Sequence, residues 1–247
     1  MGFFSNLFSS SKNSLQDYAM LSTDMHSHLI PGVDDGAQTI EESMELIRAL
    51  YDLGFRKLIT TPHVMSDFYK NDEQTILDGL KKLRDAVEKQ KIPIIIEAAA
   101  EYYCDGAFEQ IIGRDKLLTF GDRHLLFEIS YLQAPENLQN VLFKLQLEGY
   151  KPVLAHPERY PFWYHSFDKY EALKDRGIMF QVNLASLTGY YGTSAKRTAE
   201  RLIERNMVDL FSTDVHKMAH MPHYKKALKE KWLSHALESG AIKNHLF

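Results

Sequence analysis

Two histidines and two adjacent aspartates stand close together near the start of the chain, in the stretch TDMHSHLIPGVDDG at residues 23–36. Imidazole nitrogens and carboxylate oxygens are ligands for Zn, Fe and Mn, so His26 and His28 are candidate metal ligands. The HxH pair alone is a weak signal, and Asp34-Asp35-Gly36 alone is a common turn sequence. The choice between a metal site and a polar loop therefore depends on the rest of the chain.

Polar residues of the same types follow short apolar segments throughout the sequence. The candidates are His63, Glu101, Glu128, His156, Asn183, Asp214 and His216. If the apolar segments are parallel strands, their C-terminal ends meet on one side of the fold, and these side chains converge there. Clustered imidazoles and carboxylates favour bridged metal ions, and two-metal sites catalyse phosphoester hydrolysis. The set as a whole predicts a metal cluster.

Alternating strands and helices must position these residues. The predicted strands are Thr23–His28, Lys57–Thr61, Pro93–Ala98, His124–Glu128, Pro152–Ala155, Met179–Asn183 and Asp209–Ser212. The first predicted helix begins at Thr39, which forms a capping box with Glu42. The other predicted helices are Asp72–Lys89, Gly106–Ile112, Ala134–Glu148, Phe167–Arg176, Ser194–Arg205 and Tyr224–Ser239. This alternation predicts an α/β fold with a parallel sheet. A closed barrel in one domain, residues 23–247, fits the length, and an open doubly wound sheet is the alternative.

Composition excludes several other classes of protein. The chain has 247 residues, a formal charge of −4 and no long basic run, which argues against a nucleic-acid-binding protein. It lacks a secretory signal and an apolar segment long enough to span a bilayer, so we expect a cytoplasmic protein without stable membrane insertion. Residues 1–22 are predicted to be a flexible arm, in which Phe3, Phe4, Leu7 and Phe8 offer a docking cluster.

The sequence offers no obvious amino-acid nucleophile. Cys104 is the single cysteine, and Gln110 stands where a cysteine-dependent phosphatase needs arginine, so Cys104 is predicted to be a packing residue. No G-x-S-x-G elbow or P-loop is present. By elimination, the nucleophile is metal-activated water. Arg159 follows a candidate ligand and is predicted to hold an anionic substrate, with a salt bridge as the alternative.

The ordered motifs DMHSH, VDDG, ITTPH, AAEYY, LFEIS, LAHPERY and STDVH resemble the PHP-domain metal-dependent phosphatases. They are most similar to the bacterial CpsB/YwqE (CapC-like) protein-tyrosine phosphatases, over about residues 23–223. This resemblance implies a distorted (β/α)7 TIM-like barrel with three Mn or Fe ions, Zn being possible. It implies one ion on His26, His28, Glu101 and Asp214, a second on Asp35, His63 and His216, and a third on Glu128 and His156 with Glu101 bridging.

The resemblance also implies a substrate and a role. The substrate is a phosphotyrosine protein, a tyrosine kinase that controls capsule or exopolysaccharide synthesis. Turnover is predicted to need Arg159, His63 and Asp214. Family members often carry a second phosphate-binding arginine after the last D-x-H, whereas this chain has KMAHMPHYKK there, so Lys217, His220 or His223 is left to replace it.

Two alternatives remain open on sequence grounds. The same barrel and metals suit a phosphoesterase acting on a small phosphomonoester such as histidinol phosphate, or on a phosphodiester. A non-catalytic, metal-binding regulatory barrel is the other, supported only by the Phe-rich arm. The sequence does not determine the oligomeric state.

Overall fold

A computed structural model describes residues 15–247. The nine strands among them are β1 (Thr23–Asp24), β2 (Lys57–Thr60), β3 (His63–Val64), β4 (Ile95–Ala98), β5 (Glu101–Tyr103), β6 (His124–Glu128), β7 (Lys151–Ala155), β8 (Met179–Asn183) and β9 (Leu210–Ser212). All paired strands run parallel, in the orders β1-β2-β4 and β3-β5-β6-β7-β8-β9. The predicted α/β class with parallel strands is confirmed.

Six of the helices in the described residues lie between strands along the chain, and the last two follow β9. The helices are α1 (Ile40–Asp52), α2 (Glu73–Lys89), α3 (Gly106–Ile111), α4 (Leu138–Leu147), α5 (Phe167–Asp175), α6 (Thr193–Glu204), α7 (Met221–Ala227) and α8 (Lys231–Glu238). None of the helices within residues 15–247 is both long and apolar enough to cross a bilayer.

The last strand lies beside the first. His28 N donates to Val215 O at 3.0 Å, and Asp214 N donates to His26 O at 2.9 Å. These bonds place the segment after β9 next to the segment after β1, as in a barrel, although the regular ladders form two sheets and not one continuous ring. Both HxH histidines therefore lie beside the Asp214-Val215-His216 segment.

Alternate strand residues form two apolar clusters, because side chains in a strand point to opposite faces in turn. The larger cluster includes Leu58, Phe127 and Leu154 and packs with the helices. The smaller cluster consists of Met25, Ile59, Ala99, Phe120, Leu126, Val153, Ala155 and Leu210. Polar residues continue this second face toward the C-terminal strand ends, where buried Glu128 stands two positions after Leu126.

Several predicted boundaries were wrong. The strand predicted at Thr23–His28 ends at Asp24, and the helix predicted at Ala134–Glu148 begins only at Leu138. The helix predicted at Tyr224–Ser239 is two helices, because Glu230 has extended backbone angles between α7 and α8. The short strands β3 and β5 were not predicted. Each continues a predicted strand after a short break, and the pair keeps its register, since Thr60 lies opposite Ala98 and His63 opposite Glu101.

The predicted arm lies largely outside the described residues, including Phe3, Phe4, Leu7 and Phe8. Its last part, residues 15–22, packs against the barrel. Tyr18 is buried, stacks on Phe55 with ring centroids 5.0 Å apart, and donates a hydrogen bond to Tyr224 O at 2.7 Å. The packed part of the chain thus begins before the predicted boundary at residue 23.

Candidate metal centre

The nine residues predicted to bind metal lie together at the C-terminal ends of the strands. Their donor atoms form three groups, each within 4.8 Å: His28 with Asp35, His63 and His216; His26 with His28 and Asp214; and His63 with Glu101 and Glu128. His156 joins the third group, because its Nε2 lies 3.1 Å from Glu101 Oε1. Residues separated by almost two hundred positions thus share one site.

Glu101 lies at the centre of this arrangement. Its carboxylate is fully buried and lies 3.1 Å from a ring nitrogen of each of three histidines, His26, His63 and His156. Burial alone would raise the pKa of Glu101, but the facing imidazoles, His26 first, hold it well below its usual value. A charged carboxylate without water needs cations around it, so Glu101 marks the middle of a cation site.

A second contact set joins the HxH pair to Asp214. His26 Nε2 and His28 Nε2 lie 3.1 Å apart, and each lies 3.4 Å from Asp214 Oδ1. Both rings reach one point because the chain leaves β1 before His26, which removes the opposite-face alternation of a strand. Asp214 itself has a left-handed backbone with φ of 53°. Such strained backbone concentrates at functional sites.

Asp35 reaches the group from the loop after His28. Its Oδ1 lies 3.5 Å from His63 Nε2 and 3.4 Å from His216 Nε2. Gly36 makes this approach possible, since a Cβ there would lie 2.3 Å from His28 O. The turn and metal interpretations of VDDG are therefore compatible, because the turn places the candidate ligand Asp35 beside the histidines.

Most histidines of the cluster are oriented by a hydrogen bond at Nδ1. His26 Nδ1 bonds Gln181 Oε1 at 2.9 Å, His28 Nδ1 bonds Asp34 Oδ2 at 2.7 Å, and His216 Nδ1 bonds Asp214 O at 2.9 Å. An acceptor at Nδ1 places the proton there and leaves the Nε2 lone pair free to bind a cation. The outer partners therefore select the ligating tautomer.

The charges of the site fit divalent cations. Burial opposes protonation of His63, but Glu101 and Glu128 raise its pKa to about 12, and Asp34 likewise raises the pKa of His28 to about 10. The carboxylates thus create a strongly negative potential at the ring nitrogens. His63 Nδ1 is buried and forms no hydrogen bond of good geometry, although Glu101 Oε2 lies 3.1 Å away. A cation in place of the protons would fit both the negative potential and this nitrogen.

Arg159 borders the cluster. Its Nη1 donates to Asp214 Oδ2 at 2.9 Å, and its guanidinium lies 4.1 Å from the Tyr191 ring centroid and 4.9 Å from that of Tyr131. The preceding His156 has a positive φ of 34°, which turns the chain sharply into the 3-10 helix Pro157–Arg159. Buried Glu158 fixes this turn by accepting from Ser186 Oγ at 2.6 Å. Arg159 is therefore held both at Asp214 and between two aromatic rings.

The other candidates lie around this centre. Asn183 Nδ2 donates to Asp214 Oδ2 at 2.7 Å, which places Asn183 beside the ligand set and not within it. Lys217 is exposed and lines a cavity of about 520 Å³ that also contacts Asp35 and His216. His220 Nδ1 accepts from His216 N at 3.5 Å, and the His223 ring lies 4.4 Å from that of Tyr190. These residues lie at the mouth, with no arginine from that segment beside them.

Sequence reasoning missed three residues that shape the centre. Asp34 and Gln181 orient metal-facing rings, while Tyr191, together with Tyr131, packs on Arg159. A signal existed for Gln181, which is a polar residue inside an apolar strand and is completely buried. Asp34 was visible in VDDG but was treated only as part of a turn.

Comparison with known proteins agrees with this geometry. The family model described as capsular polysaccharide synthesis, CpsB/CapC, matches residues 22–241. Tyrosine-protein phosphatase YwqE of Bacillus subtilis is 31% identical over 194 residues, covering 78% of this chain and 76% of that protein. Tyrosine-protein phosphatase CpsB of Streptococcus pneumoniae is 27% identical over 207 residues, covering 81% and 85%.

A solved structure extends the likeness to three dimensions. It is described as belonging to YwqE from Bacillus subtilis and CpsB from Streptococcus pneumoniae, metal-dependent tyrosine phosphatases. It matches with a TM-score of 0.79 at 29% identity and covers 87% of this chain and 90% of its own. With the family model matching most of the described residues, the chain belongs to the CpsB/CapC family of capsular polysaccharide synthesis.

Proposed function

We propose that the protein is a metal-dependent protein-tyrosine phosphatase. The observation that carries this proposal is the convergence of nine imidazole and carboxylate side chains on one mouth, with Arg159 next to them. The related proteins YwqE and CpsB are named tyrosine-protein phosphatases, which supports the same reaction here. When bound, the ions supply Lewis-acid polarisation of phosphoryl oxygens and a water of lowered pKa.

The ligand assignment is part of the proposal. We assign three ions, Mn or Fe with Zn possible, to His26, His28, Asp35, His63, Glu101, Glu128, His156, Asp214 and His216. The donor groups support this division, except that two histidines are shared between groups. His28 lies with Asp35 and His216 as well as with His26 and Asp214, and His63 faces Glu101 and Glu128 through Nδ1 as well as Asp35 through Nε2. His63 can thus serve either neighbouring ion.

Arg159 is proposed to bind the phosphoryl group of the substrate. One of its nitrogens is held by Asp214, and the rings of Tyr131 and Tyr191 fix the plane of the guanidinium. The remaining donors are free for equatorial phosphoryl oxygens, where a planar two-pronged cation fits well. Because the group is already oriented, little ordering is needed as charge develops in the transition state.

The biological setting follows from the same proposal. The substrate is a phosphotyrosine protein, and we propose a tyrosine kinase of polysaccharide assembly, supported by the capsular synthesis family. A kinase uses intracellular ATP, so the proposed location is the cytoplasm. Residues 23–247 are proposed to form one PHP-type domain, on which residues 15–22 pack.

Phosphate release measured for Glu101→Gln tests this function. The substitution removes the central charge, and we expect loss of bound metal by elemental analysis and loss of phosphotyrosine hydrolysis. Glu97→Gln is the matched control, because Glu97 is a half-exposed residue on β4 paired with Lys57. Full activity of Glu101→Gln would contradict the proposal. Faster hydrolysis of histidinol phosphate than of a phosphotyrosine peptide by the native protein would assign a different substrate.

A further inference from the structure

Large apolar side chains are exposed around the mouth of the metal centre. Leu132 is 89% exposed and Phe68 76% exposed, and Tyr131, Tyr190 and Met218 are each about 40% exposed. They come from loops that follow the C-terminal ends of β3, β6, β8 and β9. We call these five residues the apolar rim. A concentration of exposed apolar side chains beside a site is typical of a binding surface.

Two aromatic contacts place the rim residues Phe68, Tyr131 and Leu132 next to the metal centre. Tyr69, which follows Phe68, stacks on His63 with ring centroids 5.4 Å apart. Tyr131, which precedes Leu132, stacks on His156 at 5.8 Å. Each of these rim positions is thus coupled through one aromatic ring to a metal-facing histidine.

The remaining two rim residues lie on the segments after β8 and β9. Tyr190 precedes Tyr191, whose ring packs under Arg159. Met218 lines the same cavity as Asp35 and His216. Loops from four strands therefore supply the rim, and it surrounds the centre on more than one side.

The difference in exposure between centre and rim suggests how a substrate approaches. Glu101, His26 and His28 are completely buried, and Asp214 is 3% exposed, whereas rim residues are open to solvent. A phosphate that reaches Arg159 must come from a long side chain, and the backbone that carries it then lies at the level of the rim. The residues flanking that side chain must contact the rim side chains.

We propose that the apolar rim binds the residues on either side of the phosphotyrosine and that it favours substrates with apolar or aromatic flanking residues. This inference rests on the proposed phosphatase function and adds the substrate class to it. Burial of apolar flanking side chains against Leu132 and Phe68 supplies the preference. The rim then acts in recognition of the polypeptide, whereas the buried centre acts on the phosphate.

Charges near the rim favour a polypeptide over a lipid surface. Asp67 and Lys70 flank Phe68, and the cavity that Met218 lines contains Asp35, Glu42 and Glu45 beside Lys217. Basic groups are therefore not in excess at these positions, and the chain as a whole carries a formal charge of −4. Attachment to an anionic membrane needs an excess of basic residues beside the apolar ones.

The test compares substrates that share the same phosphate ester. kcat/KM is measured for free phosphotyrosine, for a short phosphotyrosine peptide with Leu and Phe on both sides, and for its counterpart with Ser at those positions. We expect the native protein to favour the apolar peptide. Phe68→Ala and Leu132→Ala should each lower the ratio of kcat/KM for the apolar peptide to that for free phosphotyrosine by about tenfold, which corresponds to about 1.4 kcal/mol.

Two exposed residues on α4 provide matched controls. Phe143 is 57% exposed and Leu147 is 72% exposed, and both lie on a helix that flanks the sheet away from the mouth. Phe143→Ala and Leu147→Ala should leave the ratio unchanged. This comparison separates a rim effect from a general effect of removing surface apolar area.

Several outcomes would overturn the inference. Equal use of the apolar and Ser-containing peptides, or an unchanged ratio in both rim variants, would do so while leaving the phosphatase function intact. The rim substitutions could instead abolish binding to phosphatidylglycerol vesicles without changing the ratio, which would assign the rim to a membrane. If they abolish self-association without changing the ratio, the rim binds a second copy of the chain. Failure to hydrolyse any of the three phosphotyrosine substrates would instead refute the proposed function.

Discussion

Replacement of Arg159 by lysine separates substrate binding from metal binding. Lysine keeps the positive charge but loses the planar group that pairs with Asp214 at 2.9 Å and packs against Tyr131 and Tyr191. Loss of one charge-assisted hydrogen bond from the guanidinium to a phosphoryl oxygen in the transition state costs about 1.5–3 kcal/mol. The contacts with Asp214, Tyr131 and Tyr191 are made with or without substrate, so they orient the guanidinium and do not add to this cost.

Converted at about 1.4 kcal/mol per decade of rate, this loss predicts a decrease of about 10- to 100-fold in kcat/KM for Arg159→Lys. Arg159→Met also removes the charge and should cost about 10³-fold. The assay is phosphate release from a phosphotyrosine peptide, with bound metal measured on the same samples. Arg48→Lys is the control, since Arg48 is exposed and contacts the Gln90 side chain.

The expected signature is a loss of rate at unchanged metal content, because Arg159 donates no metal-ligating atom. Activity of Arg159→Lys equal to that of the native protein would refute the assigned role. A loss of activity that follows a parallel loss of metal would also refute it, since Arg159 would then act only by holding Asp214.

Three further predictions concern residues outside the ligand set. Cys104→Ala should retain full activity, and the native thiol should resist alkylation at neutral pH, because burial raises the pKa of Cys104 to about 12. Gln181→Ala should weaken metal binding about 10- to 100-fold in a metal titration of the folded protein, since it frees the ring of His26. Burial raises the pKa of Asp24 from 3.8 to about 6, despite two hydrogen bonds from Thr213. The protonated carboxyl therefore stabilises the folded state at low pH, and this contribution is lost as the pH rises through about 6. The difference in free energy of unfolding between Asp24→Asn and the native protein should therefore increase by up to about 3 kcal/mol from about pH 4 to pH 7, measured by urea denaturation at both pH values.

Much of the fold was predictable because its signals are local. The strand from His124 to Glu128 ends as predicted, and Thr39 caps α1 by accepting from Glu42 N at 3.2 Å. In that capping arrangement Glu42 reaches back to Gln38 N and not to Thr39 N, a detail that depends on side-chain conformation. Patterns of apolar residues determined which segments form strands and helices, but not where each one ends.

Nonlocal contacts account for what the sequence did not reveal. His63 begins β3 after a short break at Thr61 and Pro62, and it lies opposite Glu101 in the same register in which Thr60 lies opposite Ala98. Gln181 contacts His26 across 155 positions, and no spacing rule connects them. Arg159 was predicted from its place after His156, whereas its two aromatic neighbours arrive from other strands. The candidate ligands could be predicted one by one, but the residues that orient them could be identified only from the fold.

The most direct test of the metal account is phosphate release from a phosphotyrosine peptide by protein stripped with a chelator and then supplied with Mn, Fe or Zn. The cluster around Glu101 predicts that stripping abolishes turnover and that at least one of these ions restores it. Undiminished turnover by protein shown by elemental analysis to be free of metal would contradict the account.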